Sequence, residues 1–397
     1  MPQAWKGSAI AKYTIESRYC STFGMDVHAR TTTVKGIDRS TGATATKRFD
    51  DVPAPSEIAS WMKGEFTGPW YAAYESGCTG FHLCRELRAL GIDCDVVAAT
   101  SIARSDADKK RKSDRRDASR LLSELISIEP TYSVVWTPDV ETEDARDLIR
   151  TRLDAMAALK SAKNQASSIL LRHGYVWNEK TARGNLKSTW TREYVSWAKS
   201  ADLGGGHAKE ALDFCIQTVE ENHERVRVLD RKLASMSELP RWKPYVDAIS
   251  LVKGVDWLAA LLVAAEIGDF HRFRSGRDVS NWLGTVPKES SSAENEKKGR
   301  ITKAGNAHCR TILVEGMAGA GRRNASMKKL RAGQAVSPDV QAVCYKATKR
   351  LNERYAYLTN ERRMRPNKAK VAVANEEIRW IWVIGCMVQD EALDVEG

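Results

Sequence analysis

Short apolar segments alternate with amphipathic ones over the first third of the chain. Three segments have the residue types and alternation of strands, namely YCSTFGMDVHA, TTTVKGI and ATATKRF, and the turn RSTG separates the last two. The helical pattern PSEIASWMKGEF follows, and then strand GPWYAAYES, helix GFHLCRELRALG and the short buried strand CDVVAA, before a further helix. The order β-β-β-α-β-α-β-α predicts a mixed sheet with helices on its faces.

Helical periodicity replaces the strand pattern from about Thr142 onward. One long segment places an apolar stripe on a helix: Leu148, Ala155, Leu159, Ala162, Ala166 and Ile169. A second segment follows heptad spacing with one polar position: Leu212, Cys215, Val219, Asn222, Val226, Leu229, Leu233 and Met236. These heptads fit either a helical hairpin packed on itself or a coiled coil that joins protomers, with Asn222 fixing the register.

A third region begins after Pro240. The segment LVKGVDWLAALLVAAEIGD predicts a short hairpin before a buried helix, a polar stretch rich in Ser, Gly and Lys follows, and helical patterns continue to the end. We therefore predict an α/β plus α protein in three parts: an α/β domain at 18–130, a helical or coiled-coil segment at 140–240, and a mostly helical domain at 241–390.

The composition points to a polyanionic partner. The chain of 397 residues has 62 Lys and Arg against 51 Asp and Glu, a net charge of +11. The segment Lys346–Lys370 is strongly basic, and Tyr345, Tyr355 and Tyr357 lie within or beside it, as suits either stacking on unpaired bases or a core-facing helical stripe. The apolar runs are too short to span a bilayer and the eight cysteines lack metal-site spacing, so we expect a cytoplasmic protein with no membrane partner.

Two aspartates lie among cations in KKRKSDRRDASRLL. Asp114 and Asp117 are three residues apart and would share one helix face. They could be acids that stabilise the first turn of a helix capped by Ser113, or a pair of metal ligands. Asp26 and Glu75 end the first and fourth predicted strands, which commonly lie side by side in such a layout. Four converging carboxylates would suit Mg²⁺ or Mn²⁺. The cations beside the pair would then hold a polyanion: Lys109, Lys110, Arg111, Lys112, Arg115 and Arg116.

The segments GMDVHA, YESG and KSDRRDASRLL resemble the D-E-D-D signature of the RuvC-like, RNase H-fold domain of transposases of the IS110 insertion-sequence family, including its IS1111 branch. LVKGVDWLAALLVAAEIGD is similar to the helix-hairpin-helix-like stretch of that family, and WLGTVPKESSSAENEKKGRITKAGNAHCR to its serine-containing block. The resemblance covers nearly the whole chain. It implies an RNase H-like N-terminal domain whose catalytic metal ligands are Asp26, Glu75, Asp114 and Asp117.

The resemblance also implies a nucleophilic serine five positions after the proline of that block. Counting from Pro287 gives Ser292, and Ser291 is the alternative because Ala293 stands where the family usually has glycine. The same block supplies candidate nucleic-acid contacts: Lys297, Lys298, Arg300, Lys303 and Asn306. The segment ITKAGN fits equally well a turn before a helix.

The activity implied by the resemblance is transposition, in which donor and target DNA are cut and rejoined through a phosphoserine link. The resemblance further implies guidance by an element-encoded bridge RNA, and a homo-oligomer, a dimer or tetramer, with composite sites. Two alternatives remain open on the residues alone. One is a RuvC-like metal-dependent nuclease that resolves branched DNA without a covalent intermediate, and the other is a non-catalytic basic scaffold that binds nucleic acid.

Overall fold

The structure is a computed structural model that describes residues 18–99, 114–127, 132–204, 206–292, 295–317 and 328–396, with backbone only at 114–116, 288–292, 295–298 and 395–396. The chain divides into two compact units. The first unit comprises the described residues up to Asp139 together with Asp269–Val279, and the second comprises Val140–Gly268 and the described residues from Ser280 onward.

The first unit contains a mixed sheet of six strands, which confirms the predicted α/β class. The strands are β1 (Ser21–Val27), β2 (Thr32–Asp38), β3 (Thr44–Phe49), β4 (Trp70–Glu75), β5 (Asp93–Val97) and β6 (Val134–Val135). Their order in the sheet is β3-β2-β1-β4-β5-β6. Strands β1, β4 and β5 run parallel to one another, whereas β2, β3 and β6 are antiparallel to the neighbours they pair with. The sequence did not predict β6, whose two residues are too few for a periodic signal.

Helices cover both faces of this sheet. They are α1 (Pro55–Glu65), α2 (His82–Ala89) and α3 (Asp114–Leu125). Alternation along β4 separates two cores: Ala72 and Tyr74 pack with residues of α1 and α2, whereas Tyr71 and Ala73 pack with Leu121 of α3. Because Glu75 follows the same alternation, it shares the α3 face of the sheet.

The second unit is mostly helical, as predicted. Its helices are α4 (Val140–Arg172), α5 (Arg192–Ser200), α6 (His207–Ser237), α7 (Lys243–Ile249), α8 (Trp257–Ile267), α9 (Gly276–Leu283, which crosses the unit boundary), α10 (Ala307–Gly316), α11 (Pro338–Ala356) and α12 (Pro366–Glu396). A two-stranded sheet of β7 (Pro287–Ser292) and β8 (Asn295–Ile301) lies between α9 and α10 in the chain.

The heptad residues of α6 have their partners within the same chain. Val219, Val226 and Leu229 are buried in one cluster with Leu159 and Ala162 of α4. The amide of Asn222 donates over 2.9 Å to the carbonyl of Thr218 in its own helix. The stripe is therefore the core of an intramolecular hairpin, and the alternative in which Asn222 sets the register between protomers is not needed to explain it.

In the part of the chain that the structure describes, no helix combines the length and the apolar character needed to cross a bilayer.

Candidate active site

The ends of β1 and β4 bring two of the predicted acids together. The parallel register pairs Met25 with Tyr74, and Asp26 and Glu75 are the next residue in each strand. Neighbouring strands lie about 4.8 Å apart, so the two acids occupy adjacent positions at one edge of the sheet. The expectation that the first and fourth strands are neighbours is confirmed.

A glycine in β1 allows α3 to lie directly on this edge. A Cβ atom added at Gly24 would lie 2.5 Å from the carbonyl oxygen of Ala118 and 2.6 Å from the amide nitrogen of Leu122. Gly24 and Asp26 face the same side of the sheet because they are two residues apart in a strand. The backbone contact at Gly24 thus holds the start of α3, with Asp117, next to Asp26. Sequence reasoning missed Gly24, although a glycine inside a strand signals a close backbone approach.

One arginine links two of the carboxylates. Nη2 of Arg120 donates to Oε1 of Glu75 over 2.7 Å, and its Nη1 lies 3.3 Å from Oδ1 of Asp117. At Asp26 a histidine is the neighbour, with Nε2 of His28 3.1 Å from Oδ2. The three acid side chains are only 16–25% exposed. Three partly buried carboxylates therefore share this edge with a fixed guanidinium, which sequence reasoning did not identify.

The side chains at this edge are carboxylates, the ligand type that binds a divalent metal, but their spacing in the structure is not that of a metal site. Among the described side chains, no three groups of His, Cys, Asp or Glu lie close enough together to hold a metal ion. Arg120 pairs with both Glu75 and Asp117. The ligands on offer are all carboxylate oxygens, the type that Mg²⁺ prefers. Asp114 begins α3 one turn before Asp117, with its side chain outside the described part.

Most of the predicted basic contacts around this edge lie outside the described residues. That holds for 109–113 entirely, including the proposed Ser113 cap, and for the side chains of Arg115 and Arg116 in the first turn of α3. Their part in binding a polyanion stays a prediction.

The serine block forms a β-hairpin. Ser292 is the last residue of β7 and pairs with Asn295 at the start of β8, and Ser291 pairs with Glu296. Lys297 and Lys298 are on β8. This stretch is polar and lacks the apolar alternation of a strand, so the hairpin was not predicted. Both candidate serines lie at the turn end of the hairpin backbone, and their side chains are outside the described part.

Backbone contacts at the base of the hairpin explain the segment ITKAGN. Gly305 has φ +145°, and a Cβ there would lie 2.1 Å from the carbonyl oxygen of Trp282. The backbone N–H of Asn306 donates to the same oxygen over 2.9 Å, and the backbone N–H of Lys303 donates to the carbonyl of Gly284 over 3.0 Å. Only glycine fits at position 305, so the segment is a tightly packed turn before α10. The side chains of Arg300 and Lys303 are exposed.

The side chain of Asn306 is used within the protein. Its Oδ1 accepts from the N–H of Cys309 over 2.9 Å and caps α10, while its Nδ2 donates to Oε2 of Glu266 over 2.8 Å. Glu266 is only 3% exposed and also accepts two hydrogen bonds from Arg150, of 2.9 and 3.0 Å. Sequence reasoning missed this buried ion pair, for which the signal was one glutamate within the otherwise apolar α8.

Comparison with known proteins shows similarity to transposases along most of the chain. Residues 246–332, which include the serine hairpin and the ITKAGN turn, match the model of the transposase IS116/IS110/IS902 family. The chain is 35% identical over 318 residues to a putative transposase, y4qE, of Sinorhizobium fredii, an alignment covering 79% of this chain and 75% of that protein.

More distant similarity extends to named insertion elements. The chain is 26% identical over 303 residues to the transposase for insertion sequence element IS1533 of Leptospira borgpetersenii, covering 74% of this chain and 83% of the relative. It is 24% identical over 294 residues to the transposase for IS1111A of Coxiella burnetii, covering 74% and 76%. With the serine hairpin inside the matched family region and a relative this similar over three quarters of its length, the chain belongs to the IS116/IS110/IS902 family of insertion-sequence transposases.

Proposed function

We propose that this transposase cuts and rejoins donor and target DNA through a phosphoserine intermediate, with a divalent metal at the carboxylate edge of the sheet. The observation that carries the proposal is the position of Asp26, Glu75 and Asp117 at one edge of the sheet, because partly buried carboxylates from three different elements are the ligand type that Mg²⁺ prefers. The strand order, an antiparallel β3-β2-β1 meander joined to parallel β4 and β5, supports an RNase H-like fold for the first unit.

In this proposal the acids hold the metal and orient the scissile phosphate. Asp26, Glu75, Asp114 and Asp117 are the ligands. Mg²⁺ or Mn²⁺, when bound, supplies charge neutralisation at the phosphate and activation of an attacking oxygen. The guanidinium of Arg120 limits repulsion between Glu75 and Asp117, because it pairs with both carboxylates. The basic residues before and within α3 contact the DNA or RNA backbone without reading its sequence.

The serine step conserves the energy of the phosphodiester bond. Oγ of Ser292 attacks the phosphorus, a serine–phosphate bond forms as one strand P–O bond breaks, and the leaving oxygen takes up a proton. Attack by the hydroxyl of another strand end then reverses the step, releases the serine and seals the new strand without ATP. The position of Ser292 at the turn end of β7 supports this role, because a hairpin end can reach into a groove of another molecule.

Mapping of the covalent adduct tests the nucleophile. The full chain is incubated with its element DNA, the transcript of the flanking non-coding DNA and Mg²⁺, and denaturation-stable protein–DNA adducts are located by mass spectrometry. We expect Ser292→Ala to abolish the adduct, and Ser290→Ala, the matched control on the same strand, to retain it. If Ser291→Ala alone abolished the adduct, the nucleophile would be Ser291. Cleavage without any adduct would favour the metal-dependent nuclease, and absence of cleavage would favour the non-catalytic scaffold.

We also propose that target choice comes from an RNA encoded by the element. The chain has neither a CxxC pair nor other zinc-finger spacing. Its positive charge is spread over several segments, as expected for a protein that contacts nucleic-acid backbones without reading bases. Recombination is measured with RNase-treated protein on naked donor and target DNA, with untreated protein as the control. We expect site-specific products only with the RNA, and a changed pairing loop should redirect insertion. Unchanged products after RNase treatment would leave a protein-only recombinase.

The working unit in this proposal is a homo-oligomer, a dimer or tetramer, in which the acidic edge of one protomer acts with the serine hairpin of another. Because Leu229 is buried against α4 of its own chain, its replacement by a charged residue should lower the melting temperature of the protomer. Light scattering on the same variant shows whether the assembly changes as well. A smaller assembly at an unchanged melting temperature would instead mark α6 as the contact between protomers.

A further inference from the structure

The last two long helices form an open groove outside the candidate active site. The groove has a volume of about 590 Å³ and lies between α11 and α12 in the second unit. Its polar and aromatic lining consists of Arg350 and Arg354 from α11 and Asn375, Glu376, Arg379 and Trp380 from α12. The lining residues are spaced by one helical turn on each helix, so one face of each helix is turned towards the groove.

The three arginines of this groove are held in place by neighbours. Oε1 of Glu376 lies 2.8 Å from Nε of Arg350, and its Oε2 lies 3.9 Å from Nε of Arg354. Arg379 donates from Nε to Oγ of Ser280 over 2.9 Å and from Nη2 to Oδ1 of Asn375 over 3.0 Å. The guanidinium groups of Arg350 and Arg379 are therefore oriented by hydrogen bonds before any ligand arrives, which lowers the entropy cost of binding.

The charges in the groove do not balance. Glu376 is the acid among the lining residues, against three arginines. Surface ion pairs of this kind contribute little to stability, about 0–1 kcal/mol each. Stability of the α11–α12 pair therefore does not account for three arginines in one groove, of which only Arg350 and Arg354 lie near the Glu376 carboxylate. An anionic ligand does, because a guanidinium offers paired N–H donors that match a phosphate.

Aromatic rings accompany these cations. Trp380 lies in the groove lining and is half-buried, and Arg354 lies over the ring of Tyr357 at 5.8 Å from its centroid. Tyr357 is 37% exposed. Oriented arginines beside accessible aromatic rings are the two components of sites for single-stranded nucleic acid, in which phosphates meet the cations and bases stack on the rings. A base held in a duplex cannot stack on the face of a tryptophan in this way.

We propose that the α11–α12 groove binds an unpaired strand of nucleic acid, with its phosphates on Arg350, Arg354 and Arg379 and a base on Trp380. Such a strand arises whenever the proposed reaction opens DNA or uses an RNA loop, and the two share this backbone chemistry. The inference extends the proposed function but does not depend on its chemistry, because binding is measured without metal and without cleavage.

The chain contains a matched control for the two α11 arginines. On α6, Arg227 and Arg231 are one turn apart, and their Nη atoms lie 3.3 and 3.4 Å from the carboxylate of Glu224. This triad has the same composition as Arg350, Arg354 and Glu376, but it lies on the single helix α6 and is not part of the α11–α12 groove. The double variants Arg350→Gln/Arg354→Gln and Arg227→Gln/Arg231→Gln therefore remove the same charge.

Binding to the full chain is measured by fluorescence anisotropy over a range of salt, with oligo(dT), oligo(U) and a blunt DNA duplex of equal length. For the groove variant we expect at least about tenfold weaker single-strand binding and a salt slope reduced by about 1.4, from about 0.7 per lost phosphate contact. The control variant and Arg350→Lys/Arg354→Lys should keep the wild-type slope. If the groove variant loses more affinity for oligo(dT), the bound strand is DNA; if it loses more affinity for oligo(U), the bound strand is RNA.

Photocrosslinking of a 5-iodouracil oligonucleotide locates the base. We expect the adduct on the peptide that contains Trp380, and its loss in Trp380→Leu at unchanged melting temperature. The proposal is overturned if the groove and control variants lose affinity equally, if neither loses any, or if duplex binding falls as much as single-strand binding. Crosslinks confined to other segments would overturn it as well.

Discussion

Arg120 of α3 donates to Glu75 at the end of β4 over 2.7 Å, although 45 residues separate them in the chain. The same guanidinium lies 3.3 Å from Asp117, one turn earlier in α3. Its Nε is buried and has no hydrogen-bond partner among the described residues, and its Nη atoms pair with these two carboxylates. A protein cation thus pairs with two proposed metal ligands, so a divalent metal that bound these carboxylates would compete with Arg120 for them.

The first prediction concerns this competition. Arg120→Gln removes the positive charge and leaves Glu75 and Asp117 repelling each other, so the metal-free protein should melt at a lower temperature. Added Mg²⁺ should raise the melting temperature of the variant more than that of the wild type, and calorimetric titration should give a lower Kd for Mg²⁺. Arg120→Lys keeps the charge and serves as the control. Weaker Mg²⁺ binding in the glutamine variant would show that Arg120 orients the ligands and does not compete with the metal.

The carboxylates themselves give the second prediction. Asp117→Asn keeps the shape of the side chain but removes a ligand charge, so recombination should fall by at least about 100-fold while folding and DNA binding persist. Asp93→Asn is the matched control, since Asp93 begins β5 at the opposite edge of the sheet and pairs with Arg18. Circular dichroism confirms folding of both variants. Near-normal recombination by Asp117→Asn with Mg²⁺ present would remove this residue from the site.

Close packing at Gly24 gives the third prediction. Gly24→Ala places a methyl group against the backbone of Ala118 and Leu122, so α3 must move away from β1. We expect a loss of about 1–3 kcal/mol in the free energy of unfolding, as for overpacked cores, together with a loss of recombination. Gly64→Ala in α1 is the control: its added Cβ meets open space, and it should stabilise by about 0.5–1 kcal/mol. Equal stability of the Gly24 variant and the wild type in urea denaturation would contradict the close approach.

The fourth prediction separates two roles for Asn306. Asn306→Ala removes the cap of α10 and the hydrogen bond to Glu266, which should cost about 1–3 kcal/mol of stability. Because both groups of the amide are used inside the protein, nucleic-acid affinity measured well below the melting temperature should change less than twofold. Lys303→Gln, at an exposed side chain of the same turn, is the comparison and should weaken binding. The reverse pattern would make Asn306 the phosphate contact.

A buried acid in α12 gives the fifth prediction. Glu377 is fully buried, and among the described residues neither carboxyl oxygen has a hydrogen-bond partner. Burial raises the pKa of Glu377 well above its usual 4.5, and the charge of Lys328 opposes this only in part. The folded state therefore holds a proton that the unfolded state loses, so the stability contributed falls as pH rises from about 4.5 through the folded pKa.

Glu377→Gln removes this titration. The variant should melt at a higher temperature than the wild type, and the difference should grow as pH rises above about 4.5, until the folded-state pKa of Glu377 is passed. Glu391→Gln, which removes an exposed carboxylate of the same helix and keeps an acceptor for the hydroxyl of Ser337, controls for general effects on α12. A difference that stays constant with pH would show that Glu377 does not titrate in this range.

The elements of the first unit could be predicted from local patterns. β-Branched and aromatic residues predicted β1 to β5, proline and helical spacing predicted α1, and helical spacing closed by Gly91 predicted α2. The hairpin of β7 and β8 was missed because its strands are polar on both faces, so no apolar period marks them. The neighbouring positions of Asp26 and Glu75 followed from the strand order, which is restricted by the preference for short, right-handed connections.

The sequence by itself determined the α/β and helical halves, the acids at the strand ends and the family, because these depend on periodicity and on local motifs. Tertiary structure alone decided which partners those residues have. It placed Arg120 between Glu75 and Asp117, buried the heptads of α6 against α4, and brought Arg350 and Trp380 to one groove. Such contacts join residues that are distant in the chain, and side-chain periodicity specifies which face is buried but not against what.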